Sequence, residues 1–408
     1  MNRKQFLILL VLVLLLGGAG LIIHQRGSRS WEDSASTLGG KLLPNLPVND
    51  IAQITLQAGT NQLHLLRTDN RWRVYERGNY PANFSQISDW ILKLADLKIA
   101  QNQDVGPSQL ARFALLPPGP ATNTATLVEL ADANGKTLAS LLLGKKHLKK
   151  STGAQPMMGL GDQAWPDGRY VMVGANRTTL DVIADPLDNA EPKPDQWLSK
   201  DFLNVENPSA ITVAFPEATN SWQLTRASET NDWQLAAAGP KEKLDADKIS
   251  GVTSPLSSAS FNDVLPPDIK PEAAGLTNLT RLTVATFDGF TYTAQIGPKQ
   301  AENYPVAVTV TAVLPPEPAP AVAAQPAAPA KSVTEAKPSA DKVAADKAVA
   351  EAKEHRKTLT DKLAREQQCE HWTYLMPAYA LDAVLKPRTE LLVTETNTPS
   401  APLPPESK

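Results

Sequence analysis

Apolar and polar positions alternate along two separate stretches of this chain, and they do so in the same order. In the first, Ile54 and Leu56 alternate with polar neighbours over residues 51–57, and Leu63 and Leu65 do so over residues 62–67. A period of two places every second side chain on one buried face, so both segments read as strands. Ala58-Gly59-Thr60-Asn61 forms the turn between them, and Thr68-Asp69-Asn70 turns into a third strand, Trp72-Arg73-Val74-Tyr75. The result is an antiparallel meander. The spacing then changes to three and four at Ile87, Trp90, Ile91, Leu94, Ala95 and Leu97, which predicts an amphipathic helix with Asn83 or Ser85 as its cap. A hairpin follows around Asp132-Ala133-Asn134-Gly135, then a strand at Tyr170-Val171-Met172-Val173 and a short closing helix over residues 178–184.

The series returns. Ile211-Thr212-Val213, Trp222-Gln223-Leu224-Thr225-Arg226 and Trp233-Gln234-Leu235 repeat the meander. A weaker apolar face over residues 245–258 (Ile249, Val252, Leu256) repeats the helix. A hairpin turning at Asp288-Gly289 repeats the hairpin. Trp372-Thr373-Tyr374-Leu375 matches Tyr170 to Val173, and Leu381 to Leu385 matches Leu180 to Ile183, pairing Asp382 with Asp181. Five features in one order point to internal duplication. The expected fold class is α+β: two tandem homologous units of antiparallel meander plus helix plus hairpin, with an N-terminal transmembrane helix. The boundaries are an anchor at residues 1–30, a first unit at 48–187, a Pro/Asp-rich linker at 188–204 and a second unit at 205–386. A disordered Pro/Ser-rich tail is expected at 387–408.

The second unit is interrupted between its last two strands by an insertion at 314–370. Residues 315–329 are Pro/Ala-rich and read as extended linker. Residues 339–368 are rich in Ala, Lys, Glu and Asp, with Asp361/Arg365 and Lys362/Glu366 at helical spacing and a thin stripe of Val349, Ala352, Leu359 and Leu363. Two readings stand: a helix that touches a partner, or a solvated segment.

Composition narrows the function classes. The run from Phe6 to Ile23 carries no charge and would span roughly 27 Å as a helix, enough to cross a bilayer. Its length favours an uncleaved anchor over a signal peptide, and the basic N-terminus places the bulk of the chain on the exported side. A net charge of -3 gives no field that would gather nucleic acid. The single cysteine, Cys369, excludes a disulfide framework and any multi-thiolate zinc site.

Candidate chemistry is sparse. The five histidines, His24, His64, His147, His355 and His371, include no pair at metal-ligand spacing. His371 lies beside Cys369, but a dyad forms through space rather than adjacency. Ser339-Ala340-Asp341-Lys342 fits a nucleophile motif only in low-complexity sequence. The basic run Lys145-Lys146-His147-Leu148-Lys149-Lys150 reads as a solvated strand end or a contact for an acidic partner or lipid headgroup. Asp132, Asn134 and Gly135 resemble part of a calcium loop but lack its distal glutamate, so a turn is the better account. Trp72 and Trp233 occupy matching positions; exposed, they would suit a carbohydrate platform, but buried anchors of sheet to helix explain the repetition more simply. No catalytic residue, metal ligand or cofactor is expected.

Asn49-Asp50-Ile51-Ala52-Gln53-Ile54 after the anchor, then Asn70-Arg71-Trp72-Arg73-Val74, then Tyr80-Pro81-Ala82-Asn83 leading to Ile87, Leu92, Leu94 and Leu97, resemble the DUF4340 family of bacterial envelope proteins. The resemblance implies a single-pass inner-membrane protein, mostly periplasmic, that serves as an accessory or scaffold subunit of an ABC-type envelope transport complex. Its implied partners are the permease and auxiliary periplasmic subunits. Two alternatives stay open: an envelope hydrolase acting on a glycan or polymer between the repeats, and a structural adaptor of a secretion or pilus machine.

Overall fold

The computed structural model describes residues 38–149, 165–174, 179–240, 242–317 and 340–393. The anchor expected from Phe6 to Ile23, most of the Pro/Ala-rich segment and residues 394–408 of the tail lie outside the described residues. Among the described residues no helix is long and apolar enough to cross a membrane. The rest is mostly antiparallel sheet with few helices, an α+β chain, and it divides into two compact units at Ser199/Lys200.

The first unit contains β1 (Gln53–Ala58), β2 (Asn61–Thr68), β3 (Arg71–Val74), β4 (Tyr80–Pro81), α1 (Phe84–Asp96), β5 (Ile99–Asp104), β6 (Thr126–Ala131), β7 (Thr137–Lys149), β8 (Trp165–Val173) and β9 (Thr179–Ile183). The sheet order is β4-β3-β2-β1-β6-β7-β8-β9-β5. Alternation sets the register: Ile54 faces Leu65 on one side and Leu130 on the other. α1 begins where the Asn83 side chain accepts the Gln86 N–H at 3.1 Å, and it buries Ile87, Trp90, Ile91 and Leu94. In β7, Leu141, Leu142 and Leu143 are all buried, so this part of the sheet is covered on both faces. Leu142 belongs to a cluster with Met172, Leu180, Leu110 and Leu115.

One expectation for this unit is corrected and a second is refined. Residues 178–184, read as a closing helix, contain β9, paired with β8 and β5. Thr-Leu-Asp-Val-Ile is a short apolar run, and periodicity over five residues does not separate strand from helix. The stretch 188–204, read as a linker, does contain the boundary between the units, but it is anchored by the buried side chains of Ala190, Trp197, Leu198 and Leu203. Trp197 is fully buried, its ring edge-on to Trp90 at 5.7 Å. Its carbonyl accepts the Asn83 N–H at 2.8 Å, and the Ser199 N–H reaches the Pro81 carbonyl at 2.9 Å.

The second unit contains β10 (Pro208–Ala214), β11 (Trp222–Thr225), β12 (Gln234–Leu235), α2 (Ala246–Ile249), β13 (Asp263–Leu265), β14 (Thr280–Thr286), β15 (Phe290–Ile296), β16 (Asn303–Ala312), α3 (Ala340–Gln367), β17 (Thr373–Pro377) and α4 (Ala378–Leu381). Its sheet order is β12-β11-β10-β14-β15-β16-β17-β13. That is the order of the first sheet without β4. The registers also agree: Ile211 faces Leu224 and Val284 as Ile54 faces Leu65 and Leu130.

This register revises several sequence matches. β17 pairs with β16 and β13, so it occupies the place of β9, not β8. Asp181 then stands level with Tyr374, because they face Val171 and Val306 respectively. Asp382 lies beyond the strands and accepts a hydrogen bond from the Tyr304 hydroxyl at 2.8 Å. The helix expected over residues 245–258 shortens to α2, capped by Asp245, because Gly251 and Pro255 follow within two turns. Trp72 is buried as expected. Trp233 is only half-buried and lies under the Arg226 guanidinium at 4.9 Å, while Trp222 is the buried anchor of that meander. At the start of the expected tail, Leu391 is fully buried and Arg388 pairs with Glu242 at 2.7 Å.

Two outcomes follow. Trp197→Ala should destabilise the first unit by about 3–5 kcal/mol, the cost of emptying a buried aromatic site; a urea titration showing a change below about 0.5 kcal/mol would assign residues 188–199 to a free linker. Asp181 is 8% exposed, and burial pushes its carboxyl from 3.8 up to about 6. A raised folded value means that its contribution to stability is present below about pH 3.8 and is lost as pH rises through about 6. Asp181→Asn, which keeps the shape and cannot ionise, should therefore raise the melting temperature at pH 7.5 more than at pH 4. Equal shifts at both pH values would contradict this assignment.

Candidate functional site

The most elaborate polar arrangement in the second unit is the seat of α3. Ala, Lys and Glu are strong helix formers, and Lys347–Glu351 at 3.6 Å adds an i,i+4 pair, so Ala340–Gln367 of the insertion forms a 28-residue helix. Its middle turns bury little: residues 351–355 are exposed and Val349 is half-buried. The last turns behave differently. Leu359 is buried, Leu363 is half-buried, and Glu366 is 1% exposed. Spacings of four and three put these side chains on one face.

Glu366 is held by protein groups. The Tyr292 hydroxyl on β15 donates to one carboxylate oxygen at 2.8 Å, and the Asn204 N–H reaches the other at 3.4 Å. Burial raises the Glu366 carboxyl above its ordinary range, while the Tyr292 hydrogen bond and the nearby Lys362 pull it back down. Lys362 lies 3.0 Å from Glu206 and over the Phe290 ring at 5.4 Å. One turn on, Gln367 donates to the Val310 carbonyl at 3.3 Å, and Glu370 accepts the Val310 N–H at 2.8 Å. A buried acid near a helix C-terminus opposes the helix dipole, so helix propensity does not account for Glu366. Its partners on the sheet do. The arrangement grips the last turns of a long helix and leaves residues 351–355 exposed.

The positions singled out from sequence are scattered. His64 meets Glu76 at 2.6 Å, and His147 meets Asp167 at 2.6 Å, both on exposed or half-buried strand surface. Cys369 is buried, whereas His371 is exposed. Burial pushes the Cys369 thiol up to about 11, so it stays protonated at neutral pH and is a poor nucleophile. Ser339 lies outside the described residues. Asp132 uses one carboxylate oxygen to accept the N–H groups of Asn134 at 2.8 Å and Lys136 at 2.9 Å, which is a turn and not a calcium loop. Among the described residues, no three His, Cys, Asp or Glu side chains are grouped to hold a metal ion.

A cavity of about 550 Å³ in the first unit lies beside the first turns of α1 and residues 185–189. Three of its four charged lining residues, Lys93, Asp185 and Asp188, are paired. Lys93 pairs with Asp185 at 3.3 Å, Lys146 pairs with Asp188, and Arg169 donates to the carbonyls of Gly144, Pro186 and Leu187. These contacts fix the loop after β9. They do not assemble a nucleophile with a base and an orienting group.

Sequence reasoning located the insertion and its helical spacing but missed Glu366 as a buried contact. The only available signal was its alignment with Leu359 and Leu363.

No curated protein matches the chain, and no solved structure does. A family model, described as a domain of unknown function (DUF4340), matches residues 72–278. The matched span covers just over half of the chain, running from β3 in the first unit to the segment before β14 in the second. The chain belongs to the DUF4340 family.

Proposed function

We propose that this chain is a non-catalytic binding subunit built from a duplicated sheet, anchored in the inner membrane by Phe6–Ile23 with its bulk in the periplasm. It acts as an accessory or scaffold component of an ABC-type envelope transport complex, and the permease and auxiliary periplasmic subunits are its partners. Support for the duplication comes from strand order: eight strands of each sheet follow one sequence of neighbours, and the Ile54 and Ile211 rows share one register. Support for a binding role comes from the seat of α3. The second sheet carries, between β16 and β17, a helix fixed at Glu366 and exposed over residues 351–355. A helix that binds nothing gains little from such an arrangement, since exposed helices of this kind are marginal in water. The location and the transport partners rest on the Phe6–Ile23 pattern and the family resemblance.

Cross-linking in cells followed by purification in mild detergent tests the reading. The expected result is co-recovery of the permease or an auxiliary subunit; recovery of the chain alone counts against it. Glu366→Lys places a cation in the buried seat and should lower co-recovery at least about tenfold, because a mispaired buried charge costs several kcal/mol. Glu366→Gln keeps the hydrogen-bonding shape and should retain co-recovery. Equal recovery from both variants would remove α3 as the contact surface.

A further inference from the structure

The geometry points to a saccharide site in the first unit, selective for a sugar carrying a carboxylate. It lies on the sheet face opposite Asp181, where β5 forms the edge. The cavity measures about 340 Å³ and is lined by Gln101, Gln103, Gln109, Arg112, Phe113 and Tyr170, among others. That volume is at the lower end of the range for small-ligand sites.

The local fold builds it in three steps. Tyr170, Val182 and Gln101 form one cross-strand row through β8, β9 and β5. A bulge between Leu143 and Lys146 sets Gly144 and Lys145 opposite Tyr170. Gly144 has to lack a side chain, because a Cβ there would overlap the Phe113 carbonyl oxygen and crowd Leu115. That close approach puts the Phe113 ring 4.9 Å from the Tyr170 ring. The bulge carries the Lys145 ammonium to 5.6 Å from the Phe113 centroid and 5.8 Å from the Tyr170 centroid. The Arg112 guanidinium stands 5.9 Å from the Phe113 ring on its own turn.

Each chemical element has a counterpart in an acidic sugar. Side-chain amides both donate and accept, as hydroxyl groups require, and Gln101, Gln103 and Gln109 are all exposed. Phe113 and Tyr170 are half-buried, which leaves apolar ring surface for the C–H face of a pyranose. Arg112 and Lys145 place two cations beside that surface for a carboxylate, against one acid in the lining, Asp104. A purely apolar ligand would leave the amides without a role.

The second unit shows that the sheet itself does not need this row. At the same register it carries Pro305, Leu375 and Asp263 in place of Tyr170, Val182 and Gln101. An aromatic–amide row present in one sheet and absent from a sheet of the same order is a feature added to the fold. This inference does not depend on the transport-complex reading, because its test uses purified chain and free saccharide.

The experiment is calorimetric titration of the full chain in detergent with trigalacturonate and with the neutral trisaccharide maltotriose at low salt. Trigalacturonate should bind in the micromolar to millimolar range and maltotriose at least about tenfold more weakly. The double variant Gln101→Ala/Gln103→Ala, on an exposed edge, should weaken trigalacturonate binding at least about tenfold with an unchanged circular dichroism spectrum. Lys145→Gln/Arg112→Gln should abolish the preference for the acidic sugar. No heat with either saccharide up to about 10 mM overturns the proposal, as does equal affinity for both or full retention of binding in the Gln101/Gln103 variant.

Discussion

Each sheet depends on a cross-strand row that has no access to solvent. In the first it runs Leu65, Ile54, Leu130; in the second it runs Leu224, Ile211, Val284, and all six side chains are fully buried. Each contributes about 1.5–3 kcal/mol through removal from water. Register matters as much as burial here. Strand side chains alternate, so a slip of one residue would turn the whole row outward and bring polar neighbours in. That constraint fixes which strands meet and in what order. It does not fix what the connections between them do.

The connections are where the two units differ. β8 passes to β9 within residues 174–178, whereas the corresponding passage from β16 to β17 runs from residue 313 to 372 and contains α3. The aromatic row at Tyr170 occurs in one unit, and the buried Glu366 seat in the other. Both features sit on positions that the central row leaves free to vary. A fold with this division suits the presentation of surfaces: the register is kept, and recognition is added at bulges and insertions. Glu366 illustrates the cost. A buried carboxylate gains little stability over an apolar contact, but only one placement of α3 gives it both a tyrosine hydroxyl and a backbone N–H.

Much of this was readable before any coordinates. Alternation at Ile54 to Leu65 and Ile211 to Leu224, the hairpins at Asp132 to Gly135 and Asp288-Gly289, and the Asn83 cap all emerged from local chemistry, because strands, tight turns and caps are local events. The errors have physical reasons too. Leu180 to Ile183 is short and wholly apolar, so its period could not be measured. The matched closing elements were displaced by one strand because apolar content resembles itself everywhere, whereas hydrogen-bonded register does not. The 188–204 segment looked like a linker from its prolines and aspartates, yet one residue, Trp197, decides its packing. Glu366 and the Phe113–Tyr170 pair depend on contacts between segments distant in sequence, and no local pattern announces them.

Amide hydrogen exchange on the full chain tests the central claim, that each sheet is locked in register by its buried row and that the second sheet grips the last turns of α3. The account predicts the slowest exchange at Ile54, Leu65, Ile211 and Leu224, strong protection at residues 359–370, and exchange within the earliest time points at residues 347–356. Uniform protection along residues 347–370, or exchange at Ile211 and Leu224 as fast as at residues 347–356, would contradict it.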